Sequence, residues 1–173
     1  MRDRDVAEFM AVSRAETRDD LTDMLAQSYG RRADAMCASQ SGIPIGVGAM
    51  VEVRPNVATL LFFANHLFPQ IVIGLTGFIR GNLFPRYREA GFHRIECVSM
   101  DGYGQAHRWI EILGLTREAV MPGYGRNGET FHQFAWVDLK ANNAYPESAG
   151  YCGPRAATPP DQHITVGVRH ELA

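Results

Sequence analysis

The sequence has little that would suit a membrane or a nucleic-acid partner. None of its apolar runs approaches the roughly 18 consecutive residues of a membrane-spanning helix. The formal net charge is −2 and the pI is near 6.3, so no electrostatic attraction to a phosphate backbone is expected. The charged residues 1–5 lead into no apolar run of the signal-peptide type. We therefore expect a soluble, cytoplasmic protein that binds neither membranes nor nucleic acid.

Cysteine is also scarce, and its spacing argues against cross-links. The chain has three cysteines, Cys37, Cys97 and Cys152, at wide intervals and without a C-x-x-C pair. This pattern indicates neither a disulfide framework nor a zinc site, and we predict no other metal site. A length of 173 residues with 46% hydrophobic residues is enough for one domain with a packed core.

Hydrophobic spacing predicts helices at the start of the chain and a sheet after them. Apolar residues recur at helical spacing in two pieces between residues 5 and 29. Thr17 and Asp20 have the spacing of a capping box before the second piece. The period then changes to two, and turn residues separate three extended segments. These segments are Ala33–Ser39, Ile43–Val53 and Val57–Ala64.

The last of these segments is followed by a predicted long helix. Val57–Ala64 is almost entirely apolar, as expected for a central strand that is covered on both faces. The helix is predicted from Phe68 to about Ala90, with Pro69 in its first turn, where proline is favoured.

The segment Gly91–Leu115 then combines a buried strand with a short helix. An apolar strand from Phe92 to Val98 is broken at Asp101, and apolar residues recur at helical spacing until Gly114. A closing hairpin is expected next, because Asn127-Gly128 is a typical hairpin turn. Its strands are predicted at Thr116–Val120 and Glu129–Val137.

The Gly91–Leu115 segment resembles the second half of the core of the GNAT acyl-CoA N-acyltransferases. The resemblance rests on Arg94-Ile95 in the strand, on Ala106 in the helix and on the closing Leu113-Gly114-Leu115. The order of elements resembles the family over residues 6–137. It implies a mixed α/β (α+β) fold in which helices flank a mostly antiparallel central sheet, with a strand–helix–strand–helix cofactor cleft and a C-terminal hairpin. The short N-terminal part is similar to phage and prophage members of the family.

The resemblance implies acetyl-CoA as the acyl donor, bound where two central strands splay apart. Its pyrophosphate would lie on the amides at the start of the long helix, because free N–H groups and the helix dipole favour an anion there. The family's Q/R-x-x-G-x-G/A loop is absent, and Gln70 and Gly74 stand one residue out of its register. The residues predicted to bind the cofactor are Phe63, Ala64, Asn65, Gln70, Ile71, Tyr103 and His107.

Acylation of an amine needs a proton acceptor, a polarised carbonyl and an acid near the departing sulfur. The position of the family's acidic tyrosine is Ile110 here, so Tyr103 is the candidate acid, although a tyrosine in a Gly-Tyr-Gly turn also suits a cap over the core. His66 and Asp101, at strand ends, are the candidate bases, although a lone His or Asp in a loop is more often structural. Glu96 is expected to pair with an arginine instead.

Composition divides the chain into a domain, residues 1–140, and a proline- and glycine-rich tail, residues 141–173. Such a tail buries too little apolar surface to fold alone. We expect it to bind a second copy of the chain or a partner protein, and Ile164–Val168 has the pattern of a strand that adds to a sheet edge.

Two functions are compatible with these patterns. The first is an N-acetyltransferase that transfers an acyl group from acetyl-CoA to an amine. The alternative is a catalytically degenerate GNAT-fold structural or binding component, for example of a phage virion, which the missing pyrophosphate loop and the tail would suit.

Overall fold

Two helices precede the sheet in the computed structural model, which describes residues 1–30 and 34–138. Helix α1 is Asp3–Ala11 and helix α2 is Arg18–Tyr29. The predicted capping box is confirmed: Thr17 Oγ1 accepts from the Asp20 N–H at 3.1 Å, and Asp20 Oδ2 accepts from the Thr17 N–H at 3.0 Å. The predicted tail, its boundary near residue 140 and its partner contacts lie outside the described residues.

Six strands form one sheet in the order β1-β2-β3-β4-β6-β5. Only β3 and β4 are parallel, so the prediction of a mostly antiparallel sheet is confirmed. The strands are β1 (Ala35–Gln40), β2 (Ile43–Arg54), β3 (Val57–Ala64), β4 (Arg94–Met100), β5 (Thr116–Met121) and β6 (Phe131–Val137). Strand β3 has the predicted bounds, and β6 begins slightly later than predicted.

The long helix between β3 and β4 is less regular than its hydrophobic pattern suggests. A 3-10 turn, Phe68–Gln70, precedes α3 (Val72–Phe78), and a π turn, Ile79–Leu83, joins α3 to α4 (Phe84–Glu89). Pro85 is the second residue after the π turn. Because a proline has no N–H and its ring crowds the preceding turn, the wider π turn gives it room without breaking the helix. We call residues 72–89 the long helix.

Helix α5 (Gly104–Leu113) and the β5–β6 hairpin complete the fold. Gly114 ends α5 with φ of 99°, a left-handed conformation that favours glycine, as the sequence pattern predicts. The main core lies between the sheet and the long helix with α5, where Phe84, Ile95 and Phe134 are fully buried.

A second apolar cluster covers the opposite face of the sheet, where Leu21 and Leu25 of α2 are buried with Phe9 and Phe63 packed against them. Successive residues of β3 therefore face different helices, which explains the apolar run in its sequence. Glu96 pairs with Arg54, whose Nη2 lies 2.7 Å from Oε1, and with Arg94, so its predicted structural role is confirmed. Among the described helices, none has the length and apolar character needed to cross a bilayer.

Candidate active site

Strands β3 and β4 separate in the middle of the sheet. They pair at only three positions, Val57 with Arg94, Ala58 with Ile95, and Thr59 with Glu96. Beyond these pairs, residues 60–64 of β3 pair with no strand other than β2, and residues 97–100 of β4 pair with no strand other than β6. The gap between the two strands is the splay that the sequence led us to expect.

A cavity of about 410 Å³ opens at this splay. Its walls come from the two separated strands, the start of the long helix, α5 and α1. The residues along it are Arg2, Asp5, Glu8, Leu60, Phe62, His66, Phe68, Pro69, Val72, Cys97, Val98, Ser99, Tyr103, Gln105, Ala106, Trp109 and Ile110. The cavity therefore joins the interior of the sheet to the first turn of the long helix.

One wall of the cavity is aromatic. Phe62 of β3 lies with its ring centroid 4.9 Å from that of Trp109 and 5.5 Å from that of Phe68. Trp109 is fixed by a 2.9 Å hydrogen bond from its Nε1–H to Thr76 Oγ1 of α3. These contacts tie α5, α3 and the sheet together and give this side of the cavity a rigid apolar surface.

Helix α1 closes the opposite side, and Asp5 holds it there. The Asp5 side chain is 4% exposed and pairs with Arg2, whose Nε and Nη2 donate to its two oxygens at 2.9 Å each. It also accepts from the Ala64 N–H and from the Tyr103 hydroxyl, both at 2.9 Å. Since Ala64 ends β3 and Tyr103 precedes α5, one carboxylate connects α1 to both sides of the splay.

Glu8 lies one turn after Asp5 and faces the same cavity. Burial raises the pKa of its carboxyl to about 7, and the nearby Asp5 adds to the rise. The Met100 backbone, the Ser99 side chain and the Arg2 charge oppose the shift without cancelling it. Because this pKa is near neutrality, Glu8 can take up or release a proton under ordinary conditions.

Ser99 is a buried polar residue of the site whose hydroxyl makes no hydrogen bond of regular geometry in the described part of the chain. It is 1% exposed. The neighbouring Cys97 is a buried thiol whose pKa burial raises to about 12, so it stays protonated and inert at neutral pH.

The three predicted catalytic residues have different surroundings. Tyr103 lines the cavity, and burial raises the pKa of its phenol to about 12. His66 also lines the cavity, at an exposed position. Asp101 is outside the cavity lining, 65% exposed, with Oδ1 2.8 Å from Nε2 of His132, and that contact lowers its pKa. Tyr103 and His66 therefore line the same cavity, and Asp101 lies outside its lining.

Of the other predicted cofactor ligands, three lie at the end of β3. The Phe63 ring packs edge-on against Phe9, with centroids 5.7 Å apart, on the α1–α2 side of the sheet. Ala64 already uses its N–H for Asp5 and its carbonyl for the Arg2 N–H. Asn65 shapes the following turn, because its Nδ2 donates to the Pro44 carbonyl and its Oδ1 accepts from the Leu67 N–H.

The remaining three predicted cofactor ligands, Gln70, Ile71 and His107, also lie outside the cavity lining. Gln70 is exposed at the end of the 3-10 turn, and Ile71 is buried at 4% exposure. His107 Nε2 lies 3.0 Å from the Met100 carbonyl, and burial lowers the pKa of its ring. The amides with no intrahelical partner at the start of α3 are instead those of Val72, Ile73 and Gly74.

Sequence reasoning missed Asp5, Glu8 and Ser99. A signal for the two acids was present, because Asp5, Glu8 and Phe9 fall at i, i+3 and i+4 and so share one face of α1. Acidic residues on the same face as a core phenylalanine are candidates for burial. Ser99 alternates with Ile95 and Cys97 along β4, which places all three on the same face of the strand.

Comparison with known proteins gives the fold. No protein-family model and no curated protein matches the sequence. Among solved structures, the ribosomal-protein-alanine N-acetyltransferase of Brucella melitensis is similar, with 16% identity, a TM-score of 0.59, and coverage of 78% of this chain and 88% of that one. The Salmonella typhimurium protein yncA, solved with its cofactor acetyl-CoA, has 16% identity and a TM-score of 0.59 over 80% of this chain and 84% of its own.

A GNAT-family acetyltransferase of Bacillus anthracis has 14% identity and a TM-score of 0.51, over 70% of this chain and 75% of that one. The predicted fold is confirmed: a mixed six-stranded sheet flanked by helices, as in the GNAT acetyltransferases. The resemblance to phage members of the family stays a prediction.

Proposed function

We propose that this protein is an N-acetyltransferase that transfers the acetyl group of acetyl-CoA to an amine. The observation that carries the proposal is the separation of β3 from β4 after Thr59 and Glu96. The resulting cavity of about 410 Å³ extends to the first turn of the long helix. The presence of acetyl-CoA in the similar structure of yncA supports acetyl-CoA as the donor. We expect the reaction to take place in the cytoplasm.

The separated strands suit the pantetheine arm of the cofactor. Beyond the last pair, the edges of β3 and β4 that face each other are not bonded across the gap. The amides of an extended pantetheine can bond to such edges as a short added strand does. The diphosphate would then lie at the amides of Val72, Ile73 and Gly74, where the positive end of the helix dipole favours an anion.

Tyr103 is our proposal for the group that assists the departing sulfur. It lines the cavity, and its raised pKa keeps the phenol protonated at neutral pH, so a proton is available as negative charge develops on the thiolate. Its one O–H donates to Asp5 in this arrangement, so the hydroxyl must turn from that carboxylate toward the sulfur during the reaction. His66 is the second candidate on the cavity wall, and Asp101 is a weaker one because it lies outside it.

The test is release of CoA thiol from acetyl-CoA in the presence of propylamine, putrescine or a peptide with a free alanine N-terminus. We expect at least one amine to be acetylated, with one thiol released for each amide formed. Tyr103→Phe should lower kcat about tenfold or more with little change in KM for acetyl-CoA, because the lost interaction belongs mainly to the transition state.

Tyr124→Phe is the matched control, since Tyr124 is 48% exposed and lies outside the cavity lining. Melting temperatures of both variants show whether Tyr103→Phe acts through stability. An unchanged kcat for Tyr103→Phe would remove Tyr103 from the mechanism. If none of the three amines is acetylated faster than in buffer, the proposed function is wrong.

A further inference from the structure

Two polar groups lie together in the cavity wall, Ser99 near the end of β4 and Glu8 on α1. Ser99 is 1% exposed and lines the cavity. In the described part of the chain its Oγ makes no hydrogen bond of regular geometry, and the group that it interacts with is the Glu8 carboxyl. Leaving a hydroxyl buried and unbonded costs free energy, so buried hydroxyls in native structures nearly always have a partner. A buried hydroxyl and a carboxyl that lie together in a cavity wall without a regular bond between them therefore point to a ligand that bonds to both.

Glu8 is the second of these groups, and the fold holds it over the cavity. It follows Asp5 by three residues, which places both side chains on one face of α1. Asp5 fixes that face against the splay through the Ala64 N–H and the Tyr103 hydroxyl. The carboxyl of Glu8 is therefore positioned beside Ser99 and Met100 rather than in solvent.

We propose that Glu8 and Ser99 bind the acceptor, a primary amine that arrives as its ammonium ion, and that Glu8 removes the first proton. The inference rests on the proposed acetyl transfer and names its acceptor subsite. The ammonium N–H groups donate to the Glu8 carboxylate and to Ser99 Oγ. Ser99 lies on β4 beyond the last β3–β4 pair, and Glu8 lines the same cavity from α1. A thioester between the separated strands would be exposed to attack in this part of the cavity.

The surrounding charge fits a cationic acceptor. Residues 1–30, which form α1 and α2, carry seven carboxylates against four arginines. Two of those carboxylates, Asp5 and Glu8, line the cavity, and Arg2 is already paired with Asp5. A cleft with an excess of negative charge attracts a cation and raises its local concentration.

The amine nitrogen loses two protons during acetyl transfer. Glu8 takes one proton from the ammonium, and the free amine forms a bond from nitrogen to the carbonyl carbon of the thioester. The carbon–sulfur bond breaks and its electron pair leaves with sulfur. Sulfur takes the proton of the Tyr103 phenol, and the second amine proton, lost from nitrogen, restores that phenol. The products are an acetamide and CoA thiol, and the first proton passes from Glu8 to water. A base that titrates near neutral pH, as burial makes Glu8 do, suits the first step.

The experiment measures CoA release with propylamine, putrescine and the alanine-terminated peptide as acceptors. We expect Glu8→Gln to lower kcat by roughly a hundredfold or more, the usual contribution of a general base, and to leave KM for acetyl-CoA unchanged. The bend of the wild-type pH profile near pH 7 should disappear in Glu8→Gln. Ser99→Ala should raise KM for the amine about tenfold, as expected for one lost hydrogen bond to a charged group, without changing KM for acetyl-CoA.

Glu16→Gln is the matched control, because Glu16 is an exposed acid of the same region outside the cavity lining. If the wild type acetylates an amine and both Glu8→Gln and Ser99→Ala match it in kcat, KM and pH profile, the acceptor subsite is wrong while the proposed function stands. If the wild type acetylates none of the amines, the proposed function and the subsite fall together.

Discussion

Replacing Asp5 by alanine should lower the free energy of unfolding by roughly 3 kcal/mol or more, measured by urea denaturation at pH 7. The Asp5 carboxylate is 4% exposed and accepts from Arg2, from the Ala64 N–H and from the Tyr103 hydroxyl. Its removal leaves the N–H and the hydroxyl without their acceptor and Arg2 without its counter-charge. Donors that lose their partner in a partly buried site cost more than the mean value of the bond itself.

Asp3→Ala provides the matched control two residues away on the same helix. The Asp3 side chain is 97% exposed and makes one contact of 3.4 Å with Arg18. Exposed ion pairs contribute little, so the change should stay within about 0.5 kcal/mol. A loss of less than about 1 kcal/mol for Asp5→Ala would show that Asp5 does not hold α1 against the splay.

Glu8→Gln should make the protein more stable above neutral pH while lowering its kcat. Burial raises the Glu8 pKa from 4.5 to about 7, so the folded state keeps a proton that the unfolded state has already lost. Between pH 4.5 and about pH 7 the folded state binds more protons than the unfolded state, and stability therefore falls as pH rises. Below pH 4.5 both states are protonated and the penalty is absent.

The neutral amide of glutamine carries no such penalty. The free energy of unfolding of Glu8→Gln should therefore exceed that of the wild type by roughly 3 kcal/mol at pH 8, from about 1.4 kcal/mol for each pKa unit. The two curves should meet near pH 4. Urea denaturation of both proteins from pH 4 to pH 8 measures the difference, and Glu16→Gln should show none. Parallel curves would mean that Glu8 is not buried as the structure has it.

The sheet was largely predictable because its signals are local. Val57–Ala64 is almost entirely apolar and bounded by turn residues, so both its type and its limits were clear from the sequence. The stop of α5 at Gly114 follows from one residue that tolerates a left-handed backbone. The π turn before Pro85 was not predicted, because the apolar spacing on either side suggests an uninterrupted helix.

The contacts on the α1 side of the cavity could not be predicted because they span the chain. The Asp5 carboxylate meets an N–H that is 59 residues away and a hydroxyl that is 98 residues away. On α1 alone, Asp5 and Glu8 have the composition of a solvated face, and tertiary packing decides that they are covered. The place of the splay followed from the resemblance in the order of elements, but of the seven residues predicted to bind the cofactor only Tyr103 lines the cavity.

Calorimetric titration of acetyl-CoA tests the central claim, that the splay between β3 and β4 binds the cofactor. The wild type should give a saturable heat with one site, and an excess of about a hundred times Kd should stabilise the fold by about 2.7 kcal/mol. Ala106→Trp, which fills the cavity from α5, should abolish the heat, whereas Arg108→Trp, an exposed position of the same helix outside the cavity lining, should keep it. No heat and no melting shift for the wild type at millimolar acetyl-CoA would contradict the account, as would full binding by a correctly folded Ala106→Trp protein.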